Sequence, residues 1–198
     1  MSAPTILESG RVNAVSSFMK WLTVNVPTPL PAGLASGPIT FGVVDRRPVA
    51  WADITTPIVS IVDLGMFQPQ ASDVDDLLTQ VQGGTDFYGR EAQTLLEVVV
   101  WASRRVQQDA EYRVQRIRDS ITSAYLLAGR FVATDPRYVP PIELLNYADG
   151  SKAPLGQYIH RDRSSTWFVE SDIQDPAHPE VIAWRMLTRV LWWEFMAA

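Results

Sequence analysis

The chain has no cysteine, so no disulfide and no thiolate metal site can form, and the redox compartment leaves no mark on it. Histidine is almost as scarce. Only His160 and His178 occur, both in polar or proline-rich surroundings. Ser164, His160 and Asp162 supply the residue types of a serine-hydrolase triad, but they crowd together in sequence, whereas triad members come from separate elements. Exposed loop histidines are the simpler reading. Asp73, Asp75 and Asp76 resemble the start of a calcium loop, yet the glycine at its sixth position and the glutamate at its twelfth are missing. A solvated acidic loop explains them. Gly83-Gly84 is not followed by a Lys-Ser/Thr pair, and no GxGxxG occurs. The expectation is therefore no catalytic residue, no cofactor and no metal.

Long apolar runs are also lacking. No stretch approaches the roughly 20 residues of a membrane span. The most apolar segment, near the C-terminus, is interrupted by Arg185, Arg189 and Glu194. The first residues show no basic region leading into an apolar run, so no signal peptide is expected, and a soluble chain made in the cytoplasm is. Excess positive charge is absent too: the formal net charge of −5 gives no global pull toward nucleic acid or membrane surfaces. A local basic patch remains open.

What is present fits an ordinary globular protein. Hydrophobic residues make up 46% and charged residues 20%, which argues against wholesale disorder. At 198 residues, one domain with a sheet and two helices is expected over 1–198, with a Pro-rich extended arm at about 27–56.

The stretch from Ala92 to Gly129 organises the rest. Ala92–Ala102 is rich in β-branched residues and free of Gly and Pro, which predicts a central strand. Asp109 to Arg130 predicts a helix, with Asp109 as N-cap and Gly129 just past the end. Val114, Ile117, Ile121, Ala124 and Ala128 form its apolar face, with Arg113, Arg116, Asp119 and Ser120 expected away from it.

Upstream, Thr5 and Glu8 fit a capping box, and Val12, Val15, Met19 and Leu22 predict a helix from about Ile6 to Val24. Prolines and glycines from Pro27 to Pro38 mark an extended connection. Short strands are expected at Ile39–Val44 and Pro57–Leu64, the second pairing with Ala92–Ala102. Between them, Gln68–Tyr88 is either a solvated loop or a short helix carrying Val74, Leu77, Leu78 and Val81. Its polar density favours the loop.

Downstream, Phe131–Pro141 is a Pro-bearing connection, Ile142–Tyr147 a short strand, Asp149-Gly150 a turn and Ser165–Ile173 a further strand. Tyr158–Arg163 is polar. Glu180–Phe195 predicts a long strand, with Ile182, Trp184, Met186, Val190 and Trp192 sharing one face.

Two excesses stand out. Arg104, Arg105, Arg113, Arg116 and Arg118 cluster around the predicted helix. Phosphate contacts, intersubunit ion pairs and a plain solvated face all fit them, although Glu111, Asp119 and the acidic whole weaken the first. Trp192 and Trp193 fall on opposite faces of the last strand, so both cannot enter one core, and an aromatic left outside is a typical interface anchor.

The order of these elements carries a resemblance. A helix and a Pro/Gly connection precede a strand opening Pro57-Ile-Val-Ser-Ile-Val. A divergent loop leads to the longer strand Thr94-Leu-Leu-Glu-Val-Val-Val-Trp, then an arginine-bearing helix, then Trp184-Arg-Met-Leu-Thr-Arg-Val-Leu-Trp-Trp-Glu-Phe. Over most of the chain this resembles the tail terminator proteins of long-tailed bacteriophages. The resemblance rests on element order and strand character, with no fixed motif.

It implies an α/β (α+β) fold: a mixed, mostly antiparallel β-sheet packed by an N-terminal helix and a central helix. It implies a virion protein of the tail or neck, assembled in the host cytoplasm and not an enzyme. The partners implied are further copies of itself in a six-membered ring, the tail tube protein and the head–tail connector, with DNA only passing through the lumen. Candidate subunit-interface residues are Arg104, Arg105, Arg113, Arg116, Trp192 and Trp193. Another neck, head-closure or tail-completion protein, a protein-binding adaptor, and an enzyme are the alternatives.

Overall fold

The computed structural model describes residues 10–26, 40–43, 54, 56–65, 78–82, 85–105, 109–147, 151–161, 168–173 and 178–197. At 10–11, 40–43, 65, 78–82, 85–92, 161, 168–173 and 193–197 the description is of backbone alone. The capping box at Thr5, the 27–38 connection, the acidic cluster at 73–76, Gly83-Gly84, the Asp149-Gly150 turn, Asp162 and Ser164 lie outside these residues.

The described elements run α1 (Gly10–Asn25), β1 (Thr40–Val43), β2 (Ile58–Gly65), β3 (Leu78–Gln82), β4 (Thr85–Ser103), α2 (Ala110–Leu127), β5 (Ile142–Leu145), β6 (Pro154–Arg161), β7 (Phe168–Ile173) and β8 (Val181–Ala197). The strands form one sheet in the order β1-β2-β4-β8-β6-β5, with β3 beside β4 and β7 beside β8. Among the described strand pairs only β1–β2 is parallel; the others are antiparallel. The fold is thus α+β, with a mixed, mostly antiparallel sheet and both helices packed on it.

The β4–β8 ladder is the spine. It runs unbroken from Phe87 opposite Ala197 to Ser103 opposite Val181. β2 pairs with β4 from Ile58 opposite Trp101, as the apolar runs predict, until a register shift between Asp63 and Gly65. The run Val98-Val-Val-Trp-Ala102 is apolar at every position because both faces of this central strand are buried. Val98, Val100 and Ala102 meet the helices, together with Val59, Ile61, Trp184, Met186, Val190 and Trp192. Val99 and Trp101 enter a smaller cluster with Ile54, Ile58, Val181 and Ala183. Trp101 donates to the Ser60 hydroxyl at 3.1 Å there, which satisfies a buried indole.

The helices share one face. Phe18 of α1 stacks on Trp21 and meets Tyr125 of α2 edge-on, with centroids 5.7 Å apart. Tyr125 reaches the sheet through a 2.6 Å hydrogen bond to the Thr188 hydroxyl. Asp109 flanks α2 as predicted but makes no side-chain cap. The helix ends at Leu127, short of Arg130, because Ala128 turns to an extended conformation and bridges Val139. Gly129 then takes φ +64°, the left-handed conformation expected of it, and donates to the Val139 carbonyl at 2.9 Å.

α1 departs from its predicted stripe. Val12 is exposed, whereas Asn13 and Ser17 are buried. The reason is β5. Leu145 and Tyr147 turn their amides away from β6 and toward α1. Ser17 Oγ accepts from the Leu145 amide at 2.9 Å, and Asn13 Oδ1 accepts from the Tyr147 amide at 2.7 Å. One turn further on, the Trp21 indole donates to the Pro140 carbonyl at 2.8 Å. A helical step of four residues rises about 6 Å and a strand step of two about 6.8 Å, so Asn13 and Ser17 match Tyr147 and Leu145. The sheet edge is covered by a helix instead of being left open.

Two segments without an expected strand also needed revision. Part of Gln68–Tyr88 is strand: β3 pairs back on the start of β4 from Leu78 opposite Gly89 to Gln82 opposite Thr85. The helix over Val74–Val81 is excluded at its end, since Leu78 and Val81 are in β3. The segment left as polar at Tyr158 belongs to β6, which pairs with β5 and touches β8 at His160 and Arg161.

Candidate functional site

β4 ends at Ser103, and the tight turn Arg104-Arg105 leads toward α2. The Arg104 amide donates to the Glu180 carbonyl at 2.8 Å, which ties this turn to the start of β8. Beside it lies an open pocket of about 430 Å³ lined by Arg104, Asp109, Ala110, Glu111, Tyr112 and Gln115. The Arg104 guanidinium forms an ion pair with Glu111 and donates to the Pro179 carbonyl at 3.1 Å. Arg105 is exposed on the same turn.

Arg113 was expected on the solvent face and is instead buried at 8% exposure. Its Nε donates to Asp109 Oδ2 at 3.0 Å, one turn back. The carboxylate that might have capped the helix neutralises a buried guanidinium instead. Arg113 therefore belongs to the subunit's own packing and presents no charge to a partner. Arg116 is half-exposed, with its guanidinium 5.8 Å from the Tyr112 ring centroid. Arg118 pairs with Asp119 at 2.9 Å. Three of the five clustered arginines thus carry their own carboxylate, which leaves little uncompensated charge for a phosphate backbone.

The tryptophan parity holds on the described side: Trp192 is fully buried among the helices' contacts. It is a core residue and not an exposed anchor. Its indole N–H finds no hydrogen-bond partner among the described residues. Trp193 keeps its backbone place opposite Glu91, and its side chain lies outside the described residues.

A second surface went unread in the sequence. The turn after α2 is cross-linked within itself. The Asp135 amide donates to the Val132 carbonyl and the Tyr138 amide to the Asp135 carbonyl, both at 2.9 Å. Asp135 Oδ1 accepts from the Arg137 amide at 2.8 Å and from its Nε at 3.0 Å, while Oδ2 takes the terminal nitrogen at 2.9 Å. This fork holds the Asp135 carboxyl below its ordinary pKa and the Arg137 guanidinium above its own. Arg137 also lies over the Phe131 ring, 4.0 Å from its centroid. Val132 is left 72% exposed, with Tyr138 partly so. The sequence signal was there: Asp135-Pro136-Arg137 is a turn-forming group with a short-range ion pair.

His160 is exposed on β6, and His178 lies 3.7 Å from Glu180. Among the described residues no group of three or more His, Asp and Glu is placed to hold a metal ion. No described helix is long and apolar enough to cross a membrane. No protein-family model and no curated protein sequence matches this chain.

Proposed function

We propose that the protein is a structural component of a bacteriophage tail, a terminator that forms a ring on the end of the tail tube, stops its growth and meets the head connector. The observation that carries this reading is the element order. An N-terminal helix, two paired strands joined by a divergent excursion, an arginine-bearing helix and a long closing strand fall in one mixed sheet with both helices on the same face. The side-chain inventory supports it secondarily: Arg104, Arg113 and Arg118 are spent on ion pairs and Arg116 lies over Tyr112.

In this reading the work is done by surfaces, and catalysis plays no part. A ring requires two different faces per subunit. Arg104, Arg105 and Arg116, with Tyr112 beside them, supply one partly exposed charged and aromatic surface; Arg113 and Trp192 serve the core beneath. DNA passes through the ring unaltered, and the ring's other partners are the tube protein and the connector.

The test is functional. The purified chain is added to a polymerising tail tube protein from the same genome, and tube length and end structure are imaged by negative stain. Capped tubes of limited length bearing a ring of about six copies are expected. Unlimited tube growth with no density at either end would sink the reading. A monomer in free solution would not, because such a ring can form on the tube itself.

A further inference from the structure

We propose that an internal water molecule joins the Trp192 indole of β8 to the Gln157 side chain of β6, at the point where β6 leaves the sheet.

Among the described residues, two buried side-chain polar atoms lack a hydrogen-bond partner: Trp192 Nε1 and Gln157 Oε1. The indole nitrogen only donates and the amide oxygen only accepts. Each therefore carries what the other lacks. A buried polar atom left unmatched costs more than an ordinary hydrogen bond contributes, so both need an occupant.

Strand register brings the two side chains to one place. His160 lies opposite Leu191 and Arg161 opposite Val190. Continuing that antiparallel count sets Ile159 against Trp192, and both residues belong to the helix-covered core. Gln157 stands one pleat beyond Ile159 on the same face, since exposed Tyr158 separates them. Diagonal neighbours of this kind have backbones about 7–8 Å apart, within reach of an indole and a long amide.

The sheet is irregular at this point. The described pairing of β6 with β8 covers His160 and Arg161 alone. On the other side of β6, Glu143 pairs with Tyr158 and Leu145 with Pro154. Between those two pairs β5 has only Leu144, whereas β6 has Leu155, Gly156 and Gln157. Gly156 takes φ +69° within this surplus. The bulge leaves backbone groups of β6 out of the ladder, beside Gln157, where they complete the coordination of a bound water. Leu155, Ile159 and Ile142 pack into the same core as Trp192 and shut bulk solvent out.

The chemistry of the two atoms selects the occupant. A cation has nothing to accept from an indole N–H, and an anion has nothing to donate to a carbonyl oxygen. Water does both, and it is small enough for a site next to a fully buried tryptophan. The inference does not depend on the tail reading.

A crystal structure of the wild-type chain that resolves ordered solvent tests the bridge. One water within about 3.2 Å of both atoms is expected. No water there, a direct bond between indole and amide, or partners for the two atoms elsewhere in the chain overturns it. Denaturant melts of Gln157→Leu, at a half-buried position, give a second reading. With the bridge present, the variant strands the Trp192 N–H, and the folding equilibrium constant should fall by about tenfold. An acceptor that had no partner would be relieved by its removal. A constant that stays the same or rises therefore overturns the proposal.

Discussion

The Ser17 hydroxyl oxygen lies 2.9 Å from the Leu145 amide nitrogen, and both residues are buried although 128 positions separate them. The pair joins α1 to the outermost described strand beyond β6. Ser17→Ala would leave a buried amide without an acceptor, which costs about 1–3 kcal/mol. The urea midpoint should fall by that loss divided by the slope, with the slope itself unchanged. Hydrogen exchange at Leu145 should quicken more than exchange in β4. Equal quickening in both would show that the bond does not hold the edge in particular.

Arg113 gives a contrast with its neighbours. Truncation to Ala removes a buried guanidinium and leaves Asp109 partly buried. Asp109 retains 31% side-chain exposure, so the loss should be about 1–2 kcal/mol, below that of a fully buried pair. Arg105→Glu on the exposed turn should change stability by less than about 0.5 kcal/mol. Thermal melts of both variants measure the difference. Equal losses would place Arg113 at the surface, against the structure.

Tyr125 and Thr188 share one buried hydrogen bond. Tyr125→Phe and Thr188→Val should each cost about 1 kcal/mol, because each leaves the other hydroxyl with fewer partners. The double variant should lose less than the two losses together, as coupled neighbours do. Strict additivity in denaturant melts would mean that the two hydroxyls are satisfied independently.

The 131–139 turn has a pH signature. Arg137 holds the Asp135 carboxyl below its unfolded value, chiefly through the side-chain hydrogen bond and then through its amide. A depressed carboxyl pKa stabilises the turn above the unfolded pKa, near 3.9, and that contribution is lost as pH falls through the lower folded value. Carboxyl-carbon NMR should show Asp135 titrating below the unfolded aspartate value of about 3.9. In Arg137→Gln the difference should shrink to what the retained amide contributes. A wild-type midpoint at or above that unfolded value would refute the fork.

Sequence and structure agree wherever one residue pattern decides the outcome. Ala92–Ala102 and Glu180–Phe195 read as strands from branched and aromatic content, and the parity that set Trp184, Met186 and Trp192 together is the parity of the helix-covered face. Arg113 shows the limit. It stands four residues before Ile117 and eight before Ile121, so spacing put it on the buried stripe while residue type argued for solvent. Asp109 one turn back settles the conflict, and a binary pattern has no place for such a partner. β6 went unseen because Pro154 and Gly156, the latter at φ +69°, interrupt it, and most of its side chains are exposed. A strand like that is defined by its neighbours on either side more than by its own residues. The polar row Asn13, Ser17 and Trp21 was visible at a spacing of four, but nothing in it names the strand whose amides it serves. The pocket and the clamped turn were legible only as an arginine cluster and a proline-bearing connection.

The covered edge also sets an order of events during synthesis. α1 is the first described element to be made, yet the strand whose amides it accepts is completed only when Leu145 and Tyr147 have been added. The long strand that completes the sheet comes later still. Until then Phe18, Trp21 and Leu22 have no finished surface to cover them. The nascent chain must carry an adhesive α1 until the strand 128 positions further on has been made, and contacts this distant in sequence form slowly. Slowed elongation late in the chain, or a holding chaperone acting early, should therefore change the yield of folded protein more than any change in the stability of the finished molecule.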